Sequence, residues 1–234
     1  MLDIHSHILP GIDDGSRTIE ESIAVLQELK KQGCTHVVAT PHFYAQTTDI
    51  ADFKVLFNQK FSELSEAIKG MDLPEILPGC EVFFFNAIAT CADLDALTLN
   101  GSEYLLLELP DKLTAKVLDA IVDLNLNRGY TPIIAHIERY SRSPLYGNLL
   151  ELVSKDYALA HLNTTSFLCT RTRRDCYALI KHNLITYIAS DVHGIKRRPV
   201  SFNKAFSKIE RKFGTDVKQA FIDNSLALLN DIRK

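Results

Sequence analysis

The sequence predicts an α/β protein whose parallel strands close, or nearly close, into a barrel. Three observations lead there. Apolar strand-like runs alternate with amphipathic helical stretches from end to end. Several runs are almost unbroken in Val, Ile and Leu, the composition of parallel strands covered on both faces. Three helical stretches stop at a glycine shortly before or near a strand, as helix-to-strand connections do. The strand-like runs fall at 2–8, 35–40, 76–85, 104–109, 131–136, 158–163 and 185–189. Seven such runs argue for a barrel rather than a short open sheet.

The first helix is expected from Thr18, which forms a capping-box pattern with Glu21. Ile19, Ile23, Leu26 and Leu29 line one face, and Gly33 ends it. A second helix carries Phe53, Leu56, Phe57, Phe61, Leu64 and Ile68 at helical spacing and is followed by Gly70. A third carries Leu118, Ile121 and Val122 and is followed by Gly129. Residues 194–204 form a basic loop, and 215–234 read as a helix packed under the barrel.

With 234 residues and no repeat or linker, the chain suits one domain, 1–234, which buries roughly three quarters of its unfolded surface. A net charge of −3 supplies no global basic field, so nucleic acid is not expected as a partner. The five cysteines, an odd number without C-x-x-C spacing, suit free thiols in a reducing compartment. The first residues lack the pattern of a secretion signal. No apolar run approaches the ~20 residues that span a bilayer. The expectation is a cytoplasmic protein without membrane insertion.

The chemistry gathers at strand ends. In Asp3-Ile4-His5-Ser6-His7, side chains two apart on a strand face the same way, so His5 and His7 project together in a row that Asp3 begins. Paired imidazoles suit a divalent metal ion. Pro10 to Gly15 reads by itself as a turn, but it follows that strand at the end where parallel barrels carry their sites, and it brings Asp14 there. Pro41 stops the second strand, so His42 is expected to project past the sheet. Glu81 and Glu108 each place one carboxylate in an apolar strand, where ionisation demands a cation. That cation is an arginine or a metal. A further strand ends in His136 with Arg139 at the rim, and the last delivers Asp191 and His193, two apart and on one side. Nine such residues at strand ends make a metal cluster the expected reading. His36, His161 and His182 show the background pattern and receive no role.

These stretches resemble the PHP (polymerase and histidinol phosphatase) family, and within it the bacterial manganese-dependent protein-tyrosine phosphatases that regulate capsule and exopolysaccharide synthesis. The resemblance is carried by residues 3–15, Thr40-Pro41-His42, Gly79-Cys80-Glu81, residues 134–140 and Ser190 to His193, with Arg198-Pro199 behind them. It implies a distorted, TIM-like seven-stranded (β/α) barrel with two or three divalent ions, manganese first and iron or zinc as alternatives. By the same analogy His5, His7, Glu81 and Asp191 would hold one ion. Glu81 would bridge to a second held also by Glu108 and His136, and Asp14, His42 and His193 would hold a third. Arg139 and Arg198 match the arginines that bind substrate phosphate. Gly194 departs from the asparagine common in such phosphatases, and Val200 from a second proline.

Three divalent ions against four carboxylates leave about two positive charges, to which the arginines add, and this suits a phosphate monoester dianion. The expected reaction is metal-assisted attack of water on phosphorus, with a phosphotyrosine protein, a bacterial tyrosine kinase, as substrate. Alternatives are a small-metabolite phosphatase, such as one for histidinol phosphate, a PHP-type phosphodiesterase or nuclease, and a non-catalytic scaffold. A cysteine phosphatase is excluded, because no cysteine is followed by Arg six positions on.

Overall fold

In the computed structural model, which describes residues 1–234, the elements alternate as the sequence predicts. They are β1 (Leu2–Ser6), α1 (Ile19–Lys31), β2 (His36–Ala39), β3 (His42–Phe43), α2 (Ile50–Ala67), β4 (Glu75–Pro78) and β5 (Glu81–Phe83). Then follow β6 (Tyr104–Glu108), α3 (Ala115–Leu126), β7 (Thr131–Ile134), α4 (Tyr146–Ser154), β8 (Leu159–Asn163), α5 (Thr170–Lys181), β9 (Tyr187–Ala189), α6 (Phe202–Phe213) and α7 (Thr215–Asp231). No helix is long and apolar enough to cross a membrane.

All strand pairs are parallel, in the orders β1-β2-β4 and β3-β5-β6-β7-β8-β9. The sheet curls, because Asp191 N–H donates to His5 O (2.9 Å) and His7 N–H to Val192 O (3.0 Å), tying the segment after β9 to β1.

One of the seven predicted strands is split and a short extra strand follows another, which makes nine. The run at 76–85 breaks at Gly79-Cys80. A Cβ on Gly79 would lie 2.6 Å from Val38 Cγ1 and 3.0 Å from Leu99 Cδ2, so only glycine admits this close approach. Pro41 stops the second run, as expected, but His42 does not project past the sheet. It begins β3 and pairs with Glu81 of β5, while Pro41 O accepts from Glu81 N–H (3.0 Å). The break therefore sets His42 directly across from Glu81.

Thr18 caps α1 by accepting from Glu21 N–H (3.3 Å), and the Glu21 carboxylate reaches back to Arg17 N–H (2.9 Å). α2 is capped by Asp49, whose side chain accepts from Asp52 N–H (2.8 Å). Gly33, Gly70 and Gly129 follow α1, α2 and α3 with φ of 92°, 77° and 72°, the left-handed turn that glycine makes without strain.

A large apolar core lies between the sheet and its helices. A second, smaller core fills the lower interior of the curl. It takes Leu2 and Ile4 from β1, Leu106 from β6, Ile133 from β7 and Ala189 from β9, and α7 plugs it with Leu228 and Leu229. Burying each larger side chain contributes about 1.5–3 kcal/mol. The helix expected under the strands is thus the floor of the fold, and the C-terminal strand ends carry the polar residues.

Candidate metal centre

The structure brings all nine metal-ligand candidates together. His5 Nε2 and His7 Nε2 are 3.1 Å apart. Both reach Glu81 Oε2 (3.1 and 3.2 Å) and Asp191 Oδ1 (3.5 Å each). His136 Nε2 lies 3.0 Å from Glu81 Oε1 and 3.6 Å from Glu108 Oε1. His193 Nε2 lies 3.2 Å from Asp14 Oδ1.

His42 does more than the family analogy implies. Its Nε2 is 3.7 Å from Asp14, while its Nδ1 is 3.0 Å from Glu81 and 3.7 Å from Glu108. Three groups of ligand-type atoms have ion-holding spacing: His7, Asp14, His42 and His193; His5, His7 and Glu81; and His42, Glu81 and Glu108. His7, His42 and Glu81 are shared between groups.

The backbone bends sharply to deliver two of these side chains. His136 (φ 36°) and Asp191 (φ 50°) adopt left-handed conformations, unusual outside glycine and asparagine. The strand expected to reach His136 ends at Ile134, and β9 ends at Ala189. Asp191 and His193 therefore meet through this turn and not through strand alternation, with His193 Nδ1 at 3.0 Å from Asp191 O.

Several supporting residues escaped the sequence reading. His161, which the sequence pattern does not single out, is fully buried beside the cluster, with Nε2 2.9 Å from His5 Nδ1 and 3.4 Å from His136 N. Burial holds the His161 cation far below its usual range, so the ring is neutral. His161 Nε2 can accept from both neighbours, which leaves the proton of His5 on Nδ1 and its Nε2 lone pair facing Glu81. Asp13 belongs to the stretch whose composition is that of a turn. Its Oδ2 takes His7 Nδ1 at 2.6 Å and His42 N–H at 3.1 Å, and its Oδ1 takes Gly15 N–H at 2.9 Å. Asn163 donates to Asp191 Oδ2 (2.6 Å), and Glu138 accepts from Asn163 N–H and Ser166 Oγ behind it. Asp3 shares the His5 row but is bound to Ser190, accepting from its N–H at 3.0 Å. The signal available for His161 was the one used for Glu81: an ionisable group in an apolar parallel strand needs a partner.

Charge in the cluster follows from burial and these partners. Burial opposes ionisation of Glu81, yet the facing His5, His136 and His42 hold it well below the usual carboxylate range. Burial works equally against Asp13, and the His7 contact brings it down to about 2. Burial is not outweighed at Glu108, where neighbouring Glu81 adds to it and pushes the carboxyl up to about 7. Burial lowers His136 to about 4, and burial with the charge of His7 does the same to His193. Burial also disfavours the His7 cation, but Asp13, Asp191 and Glu81 together raise its pKa well above the ordinary value. Buried Glu81 Oε2, His42 Nδ1 and His193 Nε2 have no hydrogen-bond partner. Unsatisfied atoms of this kind among imidazoles and carboxylates fit manganese, iron or zinc better than calcium.

Arg139 and Arg198 bracket the mouth. Arg139 Nη2 donates to Asp191 Oδ2 (2.6 Å), and Arg198 Nη1 lies 3.1 and 3.0 Å from the two Asp191 oxygens. Their side chains stay 42% and 36% exposed, so further N–H groups remain open to solvent. Gly194 (φ 129°) passes so close to α1 that a Cβ would lie 2.5 Å from Glu21 Oε1. Among the cysteines, Cys80 adjoins the cluster, but burial keeps its thiol protonated.

A family model described as capsular polysaccharide synthesis, CpsB/CapC, matches residues 1–230. The chain belongs to this family. Among CpsB/CapC relatives, it is 28% identical to tyrosine-protein phosphatase CpsB of Streptococcus agalactiae, over 99% of both chains. It is also 28% identical to tyrosine-protein phosphatase YwqE of Bacillus subtilis, over 99% of this chain and 92% of that one. A structure from work on Bacillus subtilis YwqE and Streptococcus pneumoniae CpsB, called unique metal-dependent tyrosine phosphatases, superposes with a TM-score of 0.86. It is 27% identical and is covered over 95% of its length by 99% of this chain. The histidinol phosphate phosphatase of Lactococcus lactis shares the fold alone, at a TM-score of 0.58 and 16% identity over 91% of this chain and 95% of that one.

Proposed function

We propose that this chain is a metal-dependent protein-tyrosine phosphatase, on a seven-stranded PHP-type barrel, that acts in capsule or exopolysaccharide synthesis. The observation that carries the reading is the convergence of five imidazoles and four carboxylates, with unpartnered buried nitrogen and oxygen atoms among them. His5, His7, Glu81 and Asp191 would hold one ion. Glu81, Glu108 and His136 would hold a second, and Asp14, His42 and His193 a third, with His42 able to serve either neighbour. Two or three ions, manganese foremost, would neutralise the phosphoryl dianion and lower the pKa of water for in-line attack.

The chain's own residues account for orientation. Asp13 and His161 fix the ring nitrogens that carry protons in His7 and His5, leaving Nε2 of each free toward the cluster. Arg139 and Arg198 offer forked N–H donors to phosphoryl oxygens from the two sides of Asp191. A phenolate leaves phosphorus with little help from an acid, which suits a tyrosine ester. The protein substrate we propose is a bacterial tyrosine kinase, and the site of action the cytoplasm.

Phosphate release from a phosphotyrosine peptide, with and without chelator, tests this reading, with histidinol phosphate as the comparison substrate and Asp191→Ala as the control. The expected result is chelator-sensitive turnover of the peptide, restored by manganese and lost in Asp191→Ala. Chelator-resistant turnover, or preference for histidinol phosphate, would refute it.

A further inference from the structure

We infer that the surface between α5 and α6 is a docking site for the acidic segment that surrounds the scissile phosphotyrosine in the protein substrate. The inference rests on the phosphotyrosine-phosphatase reading above.

Charge is segregated in this chain. Residues 170–212 hold eleven of its 26 Lys and Arg but only three of its 29 Asp and Glu, although the net charge is −3. Of those eleven cations only Arg197 and Arg198 form ion pairs, both at the mouth of the candidate metal centre. Lys204, Lys208 and Arg211 stand at i, i+4 and i+7 on α6 and so share one face, where like charges weaken a helix. Together with Leu168 they line an open groove of about 540 Å³. Leu168, 39% exposed, supplies an apolar spot in it.

Basic residues flank the groove along the chain on both sides. α5 begins two residues after Leu168 and exposes Arg171 and Arg174. α5 is fixed against α6, since Tyr177 Oη donates to Lys208 O (3.1 Å) and its ring meets Phe213 at 5.3 Å. On the other side the basic loop leads from His193 through Arg197 and Arg198 to Lys204, six residues beyond the arginine that reaches Asp191. Unpaired cations on α5 and α6, the helices that flank the basic loop in the chain, fit an extended polyanion whose phosphoryl group enters the centre. Such complementarity acts on encounter and on KM.

The test compares wild type with a Lys204→Gln/Lys208→Gln/Arg211→Gln variant, whose changes touch no candidate ligand. Two peptides are used, one with phosphotyrosine flanked on both sides by glutamates and one flanked by serines. For manganese-loaded wild type, the KM of the glutamate peptide is expected to be about tenfold lower at low salt, an advantage lost near ~0.5 M salt. The triple variant is expected to keep kcat on both peptides and KM on the serine peptide, and to lose the tenfold difference. Equal wild-type KM values, or a rise in KM that is the same for both peptides, overturns the proposal. Anionic phospholipid vesicles held by wild type but not by the variant, with peptide KM unchanged, overturn it in favour of a membrane surface. If wild type turns over neither peptide, the phosphatase reading fails. Anisotropy of the labelled glutamate peptide on chelator-treated protein then decides docking alone: binding lost in the variant supports the groove, and no binding to wild type rejects it.

Discussion

Replacing Asp13 with asparagine isolates the contribution of a residue that binds no metal candidate position itself. Each Asp13 oxygen is an acceptor: Oδ2 takes His7 Nδ1–H and His42 N–H, and Oδ1 takes Gly15 N–H. An amide of the same shape keeps one oxygen and turns an NH2 toward either two donors or one. In one orientation His7 loses its acceptor. In the other, Gly15 N–H does. If the amide instead donates to His7 Nδ1, the ring proton moves to Nε2, which faces Glu81 Oε2 at 3.2 Å and Asp191 Oδ1 at 3.5 Å. That nitrogen could then bind no ion. A charge-assisted hydrogen bond of this kind contributes about 1.5–3 kcal/mol, and loss of such a support to a ligating histidine weakens metal binding about 10–100-fold. Manganese affinity, read by competition with a chromophoric chelator, should fall by that factor in Asp13→Asn. At saturating manganese most of the turnover should return. An unchanged affinity would refute the argument that Asp13 sets the His7 tautomer.

Two further outcomes follow from the geometry. Glu108, pushed up to about 7 by burial and Glu81, carries a proton below neutrality. Because a raised carboxyl pKa favours the acid form, metal uptake must expel that proton when the pH is below about 7. Affinity should therefore weaken as pH falls from 7 to 6, and titration calorimetry in two buffers should record proton release that shrinks by pH 8; no buffer dependence at pH 6.5 would contradict this. Gly194→Asn should lower the thermal midpoint by roughly 2–12 °C, from about 1–3 kcal/mol of backbone strain plus displacement of Glu21. Adding Glu21→Ala should recover only the steric share, and an unchanged midpoint in Gly194→Asn would show that φ of 129° is not enforced.

Most ligand candidates were legible because they lie in or at the end of an apolar run, where a charged or imidazole side chain needs a partner, whereas Asp14 was legible only from the place of its turn after β1. Glu81 is the clearest instance: a carboxylate flanked by Cys80 and Val82, both buried, has to meet a cation. Strand breaks were less legible. Nothing local to Gly79 says that Val38 and Leu99 will press against it, because that contact joins residues far apart in sequence. The supports were the least legible. Asp13 has the surroundings of an ordinary turn, and only the returning His7 ring gives it a task. His161 lies mid-strand, where pattern alone cannot distinguish a core histidine from one that orients a neighbour. The left-handed turns at His136 and Asp191 are imposed by tertiary packing and leave no glycine as a marker.

Both ends of the chain are fastened on the side opposite the candidate centre. The amino group of Met1 donates to Gly33 O (3.1 Å), Leu2 N–H reaches Ser225 Oγ (3.2 Å), and Arg233 clasps Glu75 at the foot of β4 (2.8 and 3.0 Å). A fluorophore, surface tether or fused domain attached at either end would consequently stand behind the reacting face. Even a bulky folded partner could approach that face unobstructed, so immobilising the protein by its termini leaves its working side turned outward.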